Sequence, residues 1–351
     1  MSLLTRLSSW IPYGLTALSA GACGYLFAWL HIPLPWMLGA MAATGALAWH
    51  EYAAVPAPVR PAALILLGLG LGQTFTAPVM AALGLALPWL LAAAILSIMT
   101  GAVTARVFAR LAKTDARTGY YASVPGGVVV MAILAQHNGV SVPLVTLAQT
   151  IRVMVVVVVV PPMVTWLVPH GDSGAFLAAR PEVHLPGLLL MLVMALGVSL
   201  LARRTRFANP WMLGSCAMVI ALSAVGMLPS GVPSWMVDMA QVGMGMSLGQ
   251  RMNRRVLLSS HRLAIASVLT TVLLIVLMAV LAAGLSLLSG LPVAAAILGM
   301  APGGMPEMTI TAKAMEVGVP LVLGFHLVRT LLCNLFVSAI WRVATRLGLG
   351  D

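Results

Sequence analysis

The chain repeats its own sequence pattern. Pro125-Gly126-Gly127 returns as Pro302-Gly303-Gly304, an offset of 177 residues (302 − 125). Several matches in one order at nearly one spacing indicate a tandem duplication, which constrains the fold to two related halves. We predict a first repeat over residues 1–170, a linker over 171–185 and a second repeat over 186–351. The other matches are Gly72-Gln73 with Gly249-Gln250, Pro143 with Pro320, Arg152 with Arg329, and Pro35 to Gly39 with Pro210 to Gly214 at an offset of 175.

The repeated unit is apolar enough to lie in a membrane. Hydrophobic residues form 61% of the chain and charged residues 8%, whereas soluble domains carry about 25% charged residues. Each half contains six apolar segments, many of which approach the roughly 20 residues needed to cross a bilayer. The predicted segments are 11–30, 36–50, 61–77, 86–106, 118–137 and 143–168 in the first half, and 186–202, 210–226, 233–250, 263–288, 292–312 and 320–341 in the second.

The arginines predict that the two halves have opposite orientations. Positive residues in short loops mark the cytoplasmic side. In the first half Arg6, Arg60 and the cluster after the fourth segment fall on one side if the first four segments each cross, whereas in the second half positive loops follow the first and third segments. If each half crosses five times and its fifth segment is re-entrant, nearly all of these charges are cytoplasmic. We therefore predict an all-α integral membrane protein built as an inverted repeat, with about five spanning helices and one re-entrant or broken helix per half. Both termini would be cytoplasmic, in a bacterial inner membrane.

The composition gives little support to metal, disulfide or nucleotide chemistry. Cys23, Cys216 and Cys333 lie in separate apolar segments without paired spacing, and the seven histidines show no zinc-type spacing. No Walker or dinucleotide-binding motif is present. The net charge of +11 is expected from cytoplasmic arginines and does not require nucleic-acid binding. We expect no enzymatic activity, no cofactor and no metal.

The fifth segment of each half contains the repeated Pro-Gly-Gly, which we predict to interrupt the helix. Non-helical backbone at membrane depth requires surrounding protein or a water-filled cavity. The amides at the start of a half-helix suit an anionic group. The alternative is a tight turn between packed helices. The candidate substrate- or ion-binding residues in these segments are Pro125, Gly126, Gly127, Pro302, Gly303 and Gly304.

Arg152 and Arg329 are costly residues to place in a membrane. Each lies about nine residues inside the last segment of its half, where a charge costs at least roughly 2.5–3.5 kcal/mol on insertion scales. Such a residue faces an interior partner or a cavity. Two interpretations remain open: the guanidinium holds backbone carbonyls freed by the Pro-Gly-Gly break, or it contacts an anionic substrate.

Glu307 breaks the symmetry of the repeat, because its counterpart in the first half is Val130. Its carboxylate could pair with Arg329 or Arg152, or bind a coupling proton or cation. One acid against two arginines leaves a positive charge, which favours an anionic ligand.

Four polar residues of the apolar segments are candidate cavity-lining groups. Gln73 and Gln250 end matched glycine-rich segments, where glycines at helical spacing let helices approach closely, and packing is the favoured interpretation for these segments. Gln149 and His326 are counterparts at the offset of 177 and precede the two arginines by three residues.

The doubled motif resembles a known family. It consists of P-G-G-x₃-M, followed by V-P-L-V and a Gln/His-x-x-Arg (Gln149 to Arg152; His326 to Arg329). This pattern is similar to the AbrB-duplication family of bacterial polytopic membrane proteins, which is distinct from the small soluble DNA-binding regulator of the same name. Members are usually labelled as an ammonia monooxygenase or as a regulator. The family also looks like a relative of inverted-repeat transporters of the antiporter and bile-acid-symporter type. That resemblance implies an acid after the Pro-Gly-Gly, which Glu307 matches and Val130 does not.

Together these observations predict a membrane protein of secondary-transporter type that moves a small anionic or polar solute by alternating access. Arg152 and Arg329 would be charge partners, and Glu307 the titratable coupling residue. The expected partners are the lipid bilayer and a solute with a coupling proton or cation, without direct nucleic-acid contact; assembly into a homo-oligomer is left open. The alternative is a membrane protein that regulates gene expression indirectly, and an ammonia monooxygenase ranks third.

Overall fold

The described part of the chain is helical. The computed structural model describes residues 3–168, 176, 181–204, 209–252, 254 and 260–346, and no strand occurs among them. Most of the predicted linker, as well as Arg206 and Arg255 of the positive loops, lies outside these residues. The helices are α1 (Leu3–Trp29), α2 (Pro35–Trp49), α3 (Val59–Gly72), α4 (Ala77–Ala112), α5 (Ala116–Ser123), α6 (Val128–His137), α7 (Val142–Leu167), α8 (Leu185–Ala202), α9 (Pro210–Ala224), α10 (Ser234–Gly249), α11 (His261–Ser289), α12 (Val293–Met300), α13 (Met305–Ala314) and α14 (Val319–Arg346).

Each predicted apolar segment lies on a helix, and the fifth segment of each half is split in two. The largest difference concerns α4, which has 36 residues where the pattern predicted 86–106. Its extension begins with Ala77 and Pro78, and proline is tolerated in the first turn because the N–H groups there have no intrahelical partner. Pro88 lies inside the helix without ending it.

Within the described residues, five helices are long and apolar enough to cross a membrane, as expected of a multi-pass membrane protein. Others, such as α3 with 14 residues, extend only about 21 Å at 1.5 Å per residue. The prediction of five crossings per half therefore stays a prediction. The five long helices are Ala77–Ala112, Val142–Leu167, Leu185–Ala202, His261–Ser289 and the Val319–Val337 part of α14.

The chain forms two compact units, and each unit takes helices from both halves of the sequence. Unit 1 contains Met1–Ala77 and Ala178–Ser259, and unit 2 contains Pro78–Leu177 and Ser260–Asp351. The predicted repeats are defined by similarity between the two halves of the sequence, whereas the compact units are defined by which helices contact one another. The two divisions therefore cut the chain at different places.

In unit 1, helices of the first half pack against helices of the second half. Helix α2 packs against α10, and α3 packs against α9. Glycines make these approaches close: a side chain on Gly68 or Gly72 would meet backbone atoms of α9, and one on Gly245 or Gly249 would meet backbone atoms of α2. This confirms the interpretation that the glycine-rich segments serve close helix packing.

Unit 2 contains both interrupted helices. Helix α7 packs against α5, α6 and α11, while α14 packs against α12 and α13. Helices α7 and α14 carry Arg152 and Arg329. The fold therefore places each arginine on a long helix beside the broken helix of its own half.

Candidate functional site

The first break separates α5 from α6 at residues 124–127. Helix α5 ends at Ser123, and α6 begins at Val128. Gly127 adopts a φ of 90°, a left-handed conformation that favours glycine. Pro125 has no N–H to continue the helical hydrogen bonds. The sequence thus produces the interruption locally, and it leaves carbonyl groups of the last turn of α5 without helical partners.

Gln149 and Arg152 bind these free carbonyls. The Gln149 Nε2 group donates to the carbonyl oxygens of Tyr121, Ala122 and Val124 at 2.9, 3.1 and 3.0 Å. Arg152 Nη1 lies 3.1 Å from the Val124 oxygen and 3.4 Å from the Ser123 oxygen. Both side chains are buried. Two side chains of α7, instead of water, therefore donate hydrogen bonds to the free carbonyls at the end of α5.

The second break, between α12 and α13 at residues 301–304, is held in the same way. His326 Nε2 lies 3.1 Å from the Leu298 oxygen. Arg329 Nη1 donates to the oxygens of Met300 and Ala301 at 3.2 and 2.8 Å. Its Nη2 group donates to the Gly303 oxygen at 3.1 Å. Here α14 supplies the polar side chains that α7 supplies at the first break.

The two sets of contacts correspond residue by residue. The bound carbonyls of the second break belong to Leu298, Met300 and Ala301. These residues lie 177 positions after Tyr121, Ser123 and Val124 of the first break, the same offset that separates the two arginines. The sequence left open whether the arginines hold freed carbonyls or contact an anionic substrate. In the structure both arginines hold freed carbonyls. Contact between an arginine and an anion stays a prediction.

Each break also contacts the long helix of the other half. A Cβ atom on Gly126 would lie 3.2 Å from the Cβ of Cys333, one turn beyond Arg329 on α14. A Cβ atom on Gly303 would lie 2.9 Å from Cγ1 of Val156, one turn beyond Arg152 on α7. Val156 and Cys333 are themselves 177 residues apart. An added methyl group at either position would be closer than ordinary van der Waals contact to the facing helix, so both breaks approach these helices closely.

Glu307 lies at the start of α13. It is 2% exposed, and a Cβ atom on the N-cap residue Gly304 would collide with its carboxylate. The third residue of a helix is where a glutamate reaches back toward the N-cap, close to the positive end of the helix dipole. Among the described residues, neither Arg152 nor Arg329 forms an ion pair with Glu307; Nη1 of each arginine donates to backbone carbonyls instead. The predicted pairing of Glu307 with an arginine is thus not made in this structure.

The family model described as transition state regulatory protein AbrB matches residues 36–345. The chain belongs to the AbrB family. The expectation drawn from the doubled motif is confirmed, and the match covers both breaks together with Arg152 and Arg329.

Two known proteins are similar to this chain over most of its length. YhjN of Bacillus subtilis (strain 168) is 27% identical over 93% of this chain and 91% of its own length. The protein of Escherichia coli (strain K12) named "Putative regulator AbrB" is 25% identical over 86% of this chain and 87% of its own length.

The other predicted cavity-lining residues of this AbrB-family chain belong to unit 1. Gln73 is buried, and its Oε1 atom accepts a hydrogen bond from the Val232 N–H at 3.0 Å. Gln250 is exposed and follows the end of α10. Gln73 therefore supports a loop, whereas Gln149 and His326 belong to unit 2 and bind the breaks.

Sequence reasoning missed a group of hydroxyl side chains in unit 2. Ser123 lines a small cavity together with Arg152 and with Ser267, Thr270 and Thr271 of α11. The sequence pattern that could have indicated this group is the presence of three hydroxyl residues within five positions of α11, an otherwise apolar helix. Among the described residues of this AbrB-family chain, no cluster of three His, Cys, Asp or Glu forms a potential metal site.

Proposed function

We propose that the chain is a bacterial inner-membrane protein of secondary-transporter type, which moves a small anionic or polar solute by alternating access. The observation that carries the proposal is the pair of broken helices in one compact unit, bound by equivalent residues of α7 and α14. Broken helices of corresponding sequence in two halves are the usual binding elements of inverted-repeat transporters.

Reciprocal contacts support the inverted repeat. Gly126 of the first half contacts Cys333 of the second, and Gly303 of the second contacts Val156 of the first. A two-fold axis produces such exchanged contacts, because each surface meets the counterpart of its own partner. The arrangement of arginines in the sequence favours an axis in the membrane plane, since it gives both halves cytoplasmic positive loops.

Glu307 supports coupling to a proton or cation. Glu307 is a buried acidic residue at the second break, and acidic residues within membrane segments commonly mark proton or ion pathways. We therefore assign Glu307 the role of the titratable coupling residue, while the chain itself performs no covalent chemistry.

The test is transport by the purified full chain in proteoliposomes. Currents on a solid-supported membrane would be recorded for a panel of small carboxylates, inorganic anions and neutral polar solutes, with and without an inward proton gradient. We expect at least one anion to be taken up faster than by protein-free vesicles, and its uptake to be accelerated by the gradient. Glu307→Gln should remove that acceleration, and Glu182→Gln, at an exposed acid, should not. Uptake no faster than in protein-free vesicles for the whole panel would refute the transporter function.

A second candidate is an indirect effect on gene expression, favoured by the name of the Escherichia coli relative. Solute flux through the membrane would change a cytoplasmic signal without contact between this chain and nucleic acid. A transcript comparison of a deletion strain complemented with the wild type or with Glu307→Gln separates the possibilities. Restoration by the wild type alone would tie the effect to transport.

A further inference from the structure

The exposed face of α4 is apolar along much of the helix and becomes positive near its end. Its large apolar residues, each at least 40% exposed and four positions apart, are Leu91, Ile95, Met99 and Val103. Arg106 and Arg110 are also exposed and continue this series, since side chains three or four positions apart share one face of a helix. We propose that this face binds an anionic phospholipid, with its phosphate held by the two arginines and an acyl chain lying along the apolar residues.

The arginines point away from the core of unit 2. Phe108, which lies between them in the sequence, is buried in a cluster with Ala148 of α7 and Leu263 of α11. Arg106 and Arg110 are each two positions from Phe108, which on an α-helix is a rotation of about 200°. The side of α4 that carries them is therefore the side that protein does not cover.

The length of α4 places both arginines at the level of the lipid headgroups. No charged residue occurs from Ala77 to Ala105, a stretch of about 44 Å at 1.5 Å per residue. It is long enough to cross the hydrocarbon core of about 30 Å, even when tilted. Arg106 is the first charge after this stretch, and Arg110 lies about 6 Å further along the axis. Because the polar layer on each side of a bilayer is about 5–8 Å thick, both guanidinium groups lie at the depth of the phosphates.

The two positive charges are not balanced within the described part of the chain. Neither Arg106 nor Arg110 forms a hydrogen bond or an ion pair there. The nearest acid in the sequence, Asp115, accepts hydrogen bonds from Thr118 and interacts with the charge of Arg117. Like charges four positions apart on a helix repel each other, and an anion bound between them removes that repulsion.

An anionic phospholipid has both of the groups that this face can bind. Guanidinium N–H groups form a planar fork that matches two oxygens of a phosphate. Positive residues near a membrane surface attract anionic lipids, and Lys113, which is exposed just beyond the end of α4, adds a third positive charge. A free phosphate or an acidic peptide would bind the charges alone, whereas a lipid also covers the apolar residues on the same face.

The fold does not require charge at these two positions. Ala283 and Leu287 of α11 stand at the positions of Arg106 and Arg110 at the offset of 177. A long helix of the same unit thus forms with apolar residues there. The arginines are a feature of the first half alone, so neutral substitutions at both positions should leave the fold intact.

The test measures the melting temperature of the purified full chain in detergent micelles that contain increasing fractions of phosphatidylglycerol, or of phosphatidylcholine with the same acyl chains. We expect a saturable rise that is larger with phosphatidylglycerol, because a ligand that binds only the folded state stabilises it. An equal rise with both lipids overturns the proposal. Glycerol phosphate and polyglutamate are titrated separately. A rise with either one that equals the rise with phosphatidylglycerol identifies a free phosphate or an acidic peptide as the ligand, and overturns the assignment to a lipid.

Two double variants assign the effect to this face of α4. Arg106→Gln combined with Arg110→Gln should weaken the apparent affinity for phosphatidylglycerol on the order of tenfold or more, because both contacts to the phosphate are lost. Arg203→Gln combined with Arg204→Gln is the matched control. It removes the same charge from two exposed residues that follow α8, where the Arg203 guanidinium lies over the Trp211 ring at 5.0 Å from its centroid.

The control variant should keep the response of the wild type. An equal loss of response in the two double variants would show that the lipid follows the net charge instead of this face, and overturns the proposal. An unchanged response in the α4 variant overturns it as well.

The lipid site goes beyond the proposed transport function and does not depend on it. A preference for phosphatidylglycerol without flux in proteoliposomes contradicts transport and leaves the site standing. Flux without a preference between the two lipids contradicts the site and leaves transport standing.

Discussion

Arg329 donates a hydrogen bond of 2.8 Å from Nη2 to Nδ1 of His326. Because a guanidinium has no acceptor, Nδ1 must carry the lone pair, and the hydrogen of the neutral ring lies on Nε2, where it reaches the Leu298 oxygen at 3.1 Å. In the first half Gln149 stands in place of histidine, and its single amide nitrogen reaches three carbonyls. Different side chains therefore bind the free carbonyls at the two breaks.

The equivalence of Gln149 and His326 predicts which substitutions the first break tolerates. Gln149→Leu should lower the free energy of unfolding by about 1–3 kcal/mol for each carbonyl left without a partner. Gln149→His should lower it less, because histidine performs this role at the second break. Melting temperatures of both variants in the same detergent test the order. A histidine variant that is less stable than the leucine variant would contradict the equivalence of the two breaks.

Close helix packing in unit 1 predicts that Gly245→Ala is destabilising. The added methyl group would lie 2.9 Å from Cβ of Ala40 and 3.0 Å from the Met41 nitrogen, and overpacking costs about 1–3 kcal/mol. Gly197→Ala is the control in the same unit, since its Cβ atom would meet nothing within 4 Å. There alanine should be neutral or stabilise α8 by up to about 1 kcal/mol. Equal melting temperatures of the two variants would exclude the close contact.

Asp115 predicts an acid-sensitive cap on α5. Its carboxylate accepts a hydrogen bond from the Thr118 N–H at 2.8 Å. Partial burial raises the pKa of Asp115, but hydrogen bonds with Thr118 and the charge of Arg117 outweigh this and hold the pKa below its usual value. Asp115→Ala should cost about 0.5–2 kcal/mol near neutral pH, and Asp115→Asn less, because asparagine also caps helices.

The sign of the pH dependence follows from the lowered pKa. The stabilisation by ionised Asp115 is fully present above its unfolded pKa of about 4, and is lost as the pH falls through the folded pKa. The stability difference between the wild type and Asp115→Asn should therefore shrink on acidification below about pH 4. Chemical denaturation at several pH values measures this, and a difference that grows toward acid would show that the carboxylate does not stabilise the cap.

The inverted repeat predicts opposite sidedness for two matched positions. Arg110 and Leu287 are counterparts at the offset of 177, and both are exposed near the ends of α4 and α11. In a chain without its three native cysteines, Arg110→Cys should react with a membrane-impermeant maleimide only after the cells are opened. Leu287→Cys should react in intact cells whose outer surface is accessible. Labelling of both positions from the same side would mean parallel halves.

Local sequence signals predicted the helices and their interruptions well. Pro125 and Pro302 lack the N–H that a helix needs, and Gly127 adopts a positive φ, so the positions of the breaks can be predicted without the fold. The cost of a charge in an apolar helix likewise identified Arg152 and Arg329, although both interpretations of these residues remained open.

The cavity at the first break could not be predicted in this way. Ala148 and Phe325 are both apolar residues in apolar segments, and only their packing shows that one leaves space where the other fills it. No sequence pattern indicates that Ser123 and Thr270 line the same cavity, because they lie on different helices far apart in the chain.

The sequence by itself determined that the chain is a duplicated, helical, apolar protein with one interrupted helix and one buried arginine in each half. These properties depend on composition, on repeat spacing and on the local chemistry of proline and glycine. The tertiary structure alone decided that each compact unit takes helices from both halves, that each break packs on the long helix of the other half, and that Glu307 is paired with neither Arg152 nor Arg329. These relations depend on contacts between residues distant in sequence, where side-chain volume and carbonyl geometry select the partner.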